Sequence, residues 1–161
     1  MPDEMQMRTA GPGDARVLAR LCAEVQALHA RQRPDVFKDT DAATLEAWFR
    51  AVLAEGSATA WIGAVGGEAA GYVLVREERR PGNAFCHDRR WLEVDQIHVH
   101  PTFQRRGVAR ALLGRAAAFA AAAGVHEVEL NAWHFNGPAR SAFARLGFRV
   151  KTLRFARQAR S

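Results

Sequence analysis

The segment from His98 to Arg115, HVHPTFQRRGVARALLGR, places Arg105, Arg106 and Arg110 in the first turns of an alanine-rich helix with no acidic residue beside them. The positive end of a helix dipole repels cations, so this placement makes sense only if an anion completes it. The first backbone N–H groups of such a helix have no intrahelical partner, and Gly107 lets a ligand approach the backbone closely. Together with three mobile guanidiniums these groups suit a pyrophosphate. The segment is not a Walker loop, because Gly-x-x-x-x-Gly-Lys-Ser/Thr is absent, and it lacks the Gly-x-Gly-x-x-Gly of a dinucleotide fold.

The elements that must position this segment follow from periodicity. MQMRTA predicts a short strand, and GPGDARVLARLCAEVQALHA a turn and then a helix with Asp14 at its N-cap and Val17, Leu18, Leu21, Val25 and Leu28 on one face. After the irregular RQRPDVFKDTD, a second helix is expected from about Ala43 to Ala54, carrying Leu45, Trp48, Phe49 and Val52. ATAWIGAV and EAAGYVLVRE read as antiparallel strands around a GGE turn, and the polar loop RRPGNAFCHDRR leads to the strand WLEVDQIHV. A helix from about Arg106 to Ala123 should stop at Gly124; VHEVELNAW is a strand, GPARSAFARLG a short helix after Asn136, and FRVKTLRFAR a last strand. The order β-α-α-β-β-β-α-β-α-β describes an α/β fold of the α+β kind, a mixed sheet with helices on its faces.

With 161 residues, 48% of them apolar and 25% charged, and no linker or repeat, a single globular domain over residues 1–161 is expected. No apolar run approaches the ~18 residues needed to span a bilayer, and MPDEMQMRTA has acids where a secretory signal would be basic and then apolar, so a cytoplasmic protein without membrane attachment is expected. Cys22 and Cys86 have neither disulfide-framework nor zinc spacing and read as structural thiols. His98 and His100 are the only close histidine pair and lack a third ligand, so no metal is expected. The formal charge of +6 permits a polyanionic partner without demanding one.

Gln104-Arg105-Arg106-Gly107-Val108-Ala109 resembles the Gln/Arg-x-x-Gly-x-Gly/Ala signature of the GNAT N-acetyltransferases. The strand DQIHVHP stands just before it, and NGPARSAFARLGF supplies Asn136, Ala139, Phe143, Leu146, Gly147 and Phe148 at the spacing of the family's later motif. The similarity runs from about Trp91 to Phe148 and implies the GNAT acyl-CoA N-acyltransferase fold. It implies acetyl-CoA as cosubstrate, direct attack by an amine in a ternary complex, and no covalent enzyme nucleophile.

By that resemblance, backbone groups of Ile97, His98 and Val99 would bond the pantetheine arm. Gln104, Arg105, Arg106, Gly107, Val108, Ala109 and Arg110 would hold the pyrophosphate. Val99 N–H would donate to the thioester oxygen, where negative charge develops. The attacking ammonium must lose a proton, and Glu93 and Asp95 are the candidate bases, with Asp95 alternatively a substrate clamp. Strict alternation puts Glu93, Asp95, Ile97 and Val99 on one face and leaves His98 and His100 structural on the other. Asn136 caps a helix and by resemblance also bonds the pantetheine, with Ala139 beside it. Phe143 stands where many relatives carry a proton-donating tyrosine; phenylalanine cannot donate, so it would pack on the cofactor, and Tyr72 or His134 are the candidate substitutes. Trp48, Phe49 and Trp61 read as core.

The family's acceptor pocket is usually shaped by the first two helices and their connection, here HARQRPDVFKDTD. Arg31 or Arg33 could hold a substrate carboxylate while Asp35 steadies an amine, with Phe37 nearby. This favours a small primary amine such as an amino acid over a polycation. The alternatives are a protein or peptide N-acetyltransferase and a non-catalytic acetyl-CoA-binding module. A nucleic-acid role for Arg149, Lys151, Arg154, Arg157 and Arg160 in the tail is the least favoured, because such tails are more often a solvated strand edge. A homodimer is expected by family analogy.

Overall fold

A computed structural model describes residues 4–159. Two compact units divide the chain, one ending at Asn131 and the other beginning at Ala132.

In the first unit the strands β1 (Met5–Thr9), β2 (Thr59–Val65), β3 (Glu68–Arg80), β4 (Arg89–Val99) and β5 (Val128–Leu130) form one sheet in that spatial order. All neighbours are antiparallel except β4 and β5. The β2–β3 hairpin turns on Gly66 and Gly67, whose φ values of 59° and 81° are those of a tight turn matched to strand twist.

Helices α1 (Ala15–Gln32) and α2 (Ala42–Glu55) cover one face of the sheet. Leu18, Leu21 and Cys22 of α1 and Phe49 and Val52 of α2 share a core with Ala60, Ile62, Tyr72 and Leu74. Asp14 stands at the N-cap of α1, yet its carboxylate accepts from Gly11 N–H and the Arg8 guanidinium instead of capping the helix. Asp41 does cap α2, accepting from Thr44 N–H at 2.7 Å.

Helix α3 (Val108–Ala122) lies on the opposite face, where Trp61 meets Phe119 edge to face and Gly63 lies under Val108 and Leu112. It ends at Gly124 (φ 69°), with Val125 N–H donating to Ala120 and Gly124 N–H to Ala121, the paired bonds of a glycine-terminated helix.

The second unit contains α4 (Gly137–Arg145), capped by Asn136, whose side-chain oxygen accepts from Ala139 N–H at 3.2 Å. Its end repeats the α3 termination: Phe148 N–H donates to Phe143, Gly147 N–H to Ala144, and Gly147 has φ 93°. The Phe143 and Phe148 rings meet at 6.1 Å, the apolar contact that accompanies this cap.

The last strand expected at FRVKTLRFAR is absent: residues 149–159 have no regular structure and are exposed. Alternating residue types alone cannot make a strand, which exists only when a neighbouring ladder satisfies its backbone. Arg160 lies outside the described residues. No described helix is long and apolar enough to cross a membrane.

Candidate active site

Two interruptions in regular pairing build the site. The first is the end of the β4–β5 ladder, which pairs Leu92 with Val128, Glu93 with Glu129 and Val94 with Leu130, and then stops. Beyond it β4 continues to Val99 with β3 alone. His100 N–H donates to Ala70 O, so by antiparallel alternation His98 also bonds toward β3, while Ile97 and Val99 direct their backbone groups to the open edge. Gln104 confirms this direction, because its Nε2 donates to Val99 O at 3.2 Å. That bond ties the following turn to the strand and leaves Val99 N–H for another acceptor.

The second interruption is a β-bulge. Leu74 pairs with Gln96 but Val75 with Val94, so Asp95 is an extra residue on β4. The bulge puts Asp95 and Gln96 on the same side and corrects the strict alternation expected from sequence. Glu93, Asp95, Gln96, His98 and His100 face the α1/α2 side, whereas Ile97 and Val99 face α3. The contacts agree: Gln96 accepts from Tyr72 Oη at 2.8 Å, and His98 Nε2 lies 3.2 Å from Glu24 of α1. His98 and His100 therefore share the side of Glu93, and both lie within ion-pair reach of Glu24. Burial lowers the His98 pKa, with Glu24 opposing, so the ring is neutral at pH 7.

The two candidate bases are differently engaged. Glu93 accepts from Trp91 Nε1 and from Asn131 Nδ2, each at 3.0 Å. Asp95 is exposed at the bulge and pairs with Arg76 at 3.3 Å, whose guanidinium also reaches Ser57. Glycine at position 71 is what allows the strands to approach beside Val99. A Cβ there would sit 2.6 Å from His98 O and 3.1 Å from Val99 Cα.

The turn after β4 forms a candidate anion cradle. Arg105 adopts φ 64°, the one non-glycine residue with positive φ among those described, and Gly107 follows at φ 82° as the N-cap of α3. Left-handed positions this close together turn successive N–H groups into a concavity suited to an anion. The first intrahelical bond runs from Ala111 N–H to Gly107 O, so the amides of Val108, Ala109 and Arg110 have no partner inside the helix. Val108 is buried under the sheet and anchors the turn, while Arg105, Arg106 and Arg110 are exposed and make no ion pair with a described acid. Arg106 lies over the Phe103 ring at 5.7 Å. The open β4 edge and this cradle, on consecutive residues, fit an extended amide-bearing arm that ends in a pyrophosphate.

A cavity of about 240 Å³ opens on the α1/α2 side, lined by Cys22, Gln26, Thr40, Thr44, Leu45, Trp48, Phe49 and Gln96. The family model for the acetyltransferase (GNAT) family matches residues 22–148. The chain belongs to the GNAT acetyltransferase family. No curated protein matches it. Among solved structures it is similar to a mutant of the BH1408 protein from Bacillus halodurans, with a TM-score of 0.88 and 20% identity over 96% of this chain and 99% of that one. It is also similar to a predicted acetyltransferase with acetyl-CoA from Clostridium acetobutylicum, with a TM-score of 0.69 and 18% identity over 96% of each chain. A third similar structure is the aminoglycoside N-acetyltransferase AAC(6')-Iy in complex with CoA, with a TM-score of 0.74 and 19% identity over 98% of this chain and 97% of that one. As a GNAT enzyme the chain is an acetyl-CoA-dependent N-acetyltransferase.

Other residues singled out from sequence have local engagements of their own. Arg33 and Asp35 pair with each other through two bonds of 2.7 and 2.8 Å, and the Phe37 ring lies tilted against His29 at 4.8 Å; none of the three lines the cavity. Tyr72 is fully buried, and burial beside Cys22 raises its pKa well above the ordinary value, so it is a poor proton donor to solvent-exposed chemistry. Phe49 and Trp61 are core as expected, but Trp48 is 38% exposed and forms a cavity wall. In the second unit, Asn136 and Ala139 make the α4 cap, Phe143 belongs to its C-terminal contact, and exposed His134 accepts from Arg140 at its backbone oxygen. Sequence reasoning missed Gln26, Thr40, Thr44 and Gln96 as cavity residues; no local pattern marks them, since their meeting depends on helices packing on a strand far away in sequence.

Proposed function

We propose that this GNAT enzyme acetylates a primary amine of a small molecule by direct attack in a ternary complex. The observation that carries the reading is the continuity of the open β4 edge with the anion cradle. Ile97 and the Val99 N–H offer backbone groups with no strand partner on the open edge, and the amides after Gly107 with Arg105, Arg106 and Arg110 offer charge for a pyrophosphate. Acetyl-CoA held there supplies an acetyl group activated as a thioester.

The protein's own contribution is orientation and proton management. Val99 N–H donates toward the carbonyl oxygen as charge grows on it, and a donor fixed in a strand needs no reorganisation to do so. Glu93 or Asp95 receives the ammonium proton, directly or through water, since both lie on the α1/α2 side of β4. Asp95 is the better placed for a solvent-borne proton because it is exposed, whereas both oxygens of Glu93 already accept hydrogen bonds. With phenylalanine at position 143, the leaving thiolate takes its proton from water. A single GNAT domain in the cytoplasm, acting as a homodimer, completes the proposal; a monomeric mass by light scattering would remove the last part.

The test is release of CoA thiol by the purified protein across amino acids, monoamines, polyamines, aminoglycosides and peptides. Turnover should fall about 100-fold or more in the variant lacking the base, Asp95→Asn or Glu93→Gln, with the acetyl-CoA Kd unchanged. Full activity in both variants would overturn the assignment of the base.

A further inference from the structure

Resting on the N-acetyltransferase reading, we infer that the acceptor is a small monoamine whose body is uncharged, seated in the cavity between α1, α2 and β4 with Trp48 as its wall. Gln96 links this cavity to the site: it lines the pocket and directly follows Asp95 at the bulge, one residue before the open-edge backbone of Ile97. The connection between the helices closes another side, where Gln26 Nε2 donates to Lys38 O at 2.7 Å and holds Thr40 in the lining.

The lining explains the chemistry. Cys22, Gln26, Thr40, Thr44, Leu45, Trp48, Phe49 and Gln96 include no carboxylate and no cation, and burial raises the Cys22 thiol so that it too is neutral. A second ammonium would enter without a counter-charge, and an unpaired charge taken from water is strongly disfavoured. Trp48 and Phe49 meet edge to face at 5.1 Å and present aromatic surface, while the hydroxyl and amide groups add a few polar contacts. At about 240 Å³ the cavity falls below the ~300–1,000 Å³ of pockets for drug-sized ligands, a size that suits an aryl or branched alkyl body. The net charge of +6 further disfavours the approach of a polycation.

The experiment compares kcat/KM for 2-phenylethylamine, isopentylamine, spermidine and kanamycin in wild type, Trp48→Ala and Thr44→Phe, with acetyl-CoA Kd and circular dichroism as controls for folding. Thr44→Phe fills the cavity while keeping the backbone N–H that caps α2. The expected result is a preference of about 100-fold or more for the two monoamines over spermidine and kanamycin. Trp48→Ala should raise the KM for 2-phenylethylamine about tenfold, and Thr44→Phe should abolish its turnover, with acetyl-CoA binding intact. Faster turnover of spermidine or kanamycin, or monoamine turnover indifferent to Thr44→Phe, would overturn the pocket assignment while leaving the transferase intact. Acetyl-CoA binding without turnover of any amine would overturn the transferase reading itself.

Discussion

Arg105 sits at φ 64°, in the left-handed region that costs an L-residue with a Cβ about 1–2 kcal/mol. Strain of this kind persists where the surrounding structure needs the conformation, and here it shapes the amide cradle before α3. Arg105→Gly removes the strain, while glycine gives back about 0.5–1 kcal/mol through its larger unfolded-state entropy. The net expectation is a stabilisation of about 0.5–1 kcal/mol. For a chain of this size that is an increase in Tm of about 1–4 °C by calorimetry. The same variant loses one of the three cations proposed to hold the pyrophosphate and pre-organises the turn less, so acetyl-CoA should bind several-fold more weakly. That difference should shrink as salt rises. Arg105→Lys keeps both strain and charge and should change neither Tm nor Kd appreciably. A lower Tm in Arg105→Gly would refute the strain argument, and an unchanged Kd at low salt would refute the guanidinium's place in the cradle.

Three further outcomes follow, one from a single contact and two from titration. Gly71→Ala forces a methyl to within 2.6 Å of the His98 carbonyl beside Val99, and should destabilise by about 1–3 kcal/mol in denaturant melts and raise the acetyl-CoA Kd; wild-type behaviour would show that the β3–β4 spacing is slack. Burial holds His98 and His29 below the ordinary histidine pKa, so near pH 6 the unfolded chain binds more protons than the native one, and stability must fall as pH drops through about 6.5. Glu24 and His100 face His98, and Glu24 softens the effect. A second loss should begin below about pH 4, where Asp14, held low by Arg8, and Asp41, held low by Thr44 N–H, take up protons. Stability equal at pH 7.5 and about pH 5.5 in urea melts would contradict the histidine part.

Local signals in the chain were sufficient wherever a physical device is itself local. Gly107 announced the start of α3, and the arginines beside it the candidate anion site, because a helix N-terminus carries its own unpaired amides. Gly124 announced the end of α3, Gly66-Gly67 the hairpin, and Asn136 the α4 cap, each through conformations set by neighbours a few residues away. The Leu146-Gly147-Phe148 motif is legible in the same way, as the termination of α4 that brings Phe148 onto Phe143.

Tertiary structure decided what depended on partners distant in sequence. The bulge at Asp95 exists only in the register of β4 against β3, and it moved Gln96 and His98 onto the side of Glu93 while turning Ile97 and Val99 to the other. The last strand did not form, because alternation without a ladder leaves backbone groups to water. Trp48 became a cavity wall instead of core, and Cys22 and Gln96, 74 residues apart, met in one pocket. The groups proposed to hold the cofactor could be read from sequence because they are consecutive along one turn. The cavity proposed to seat the acceptor depends on the packing of two helices on a bulged strand, and such long-range contacts leave no period to read.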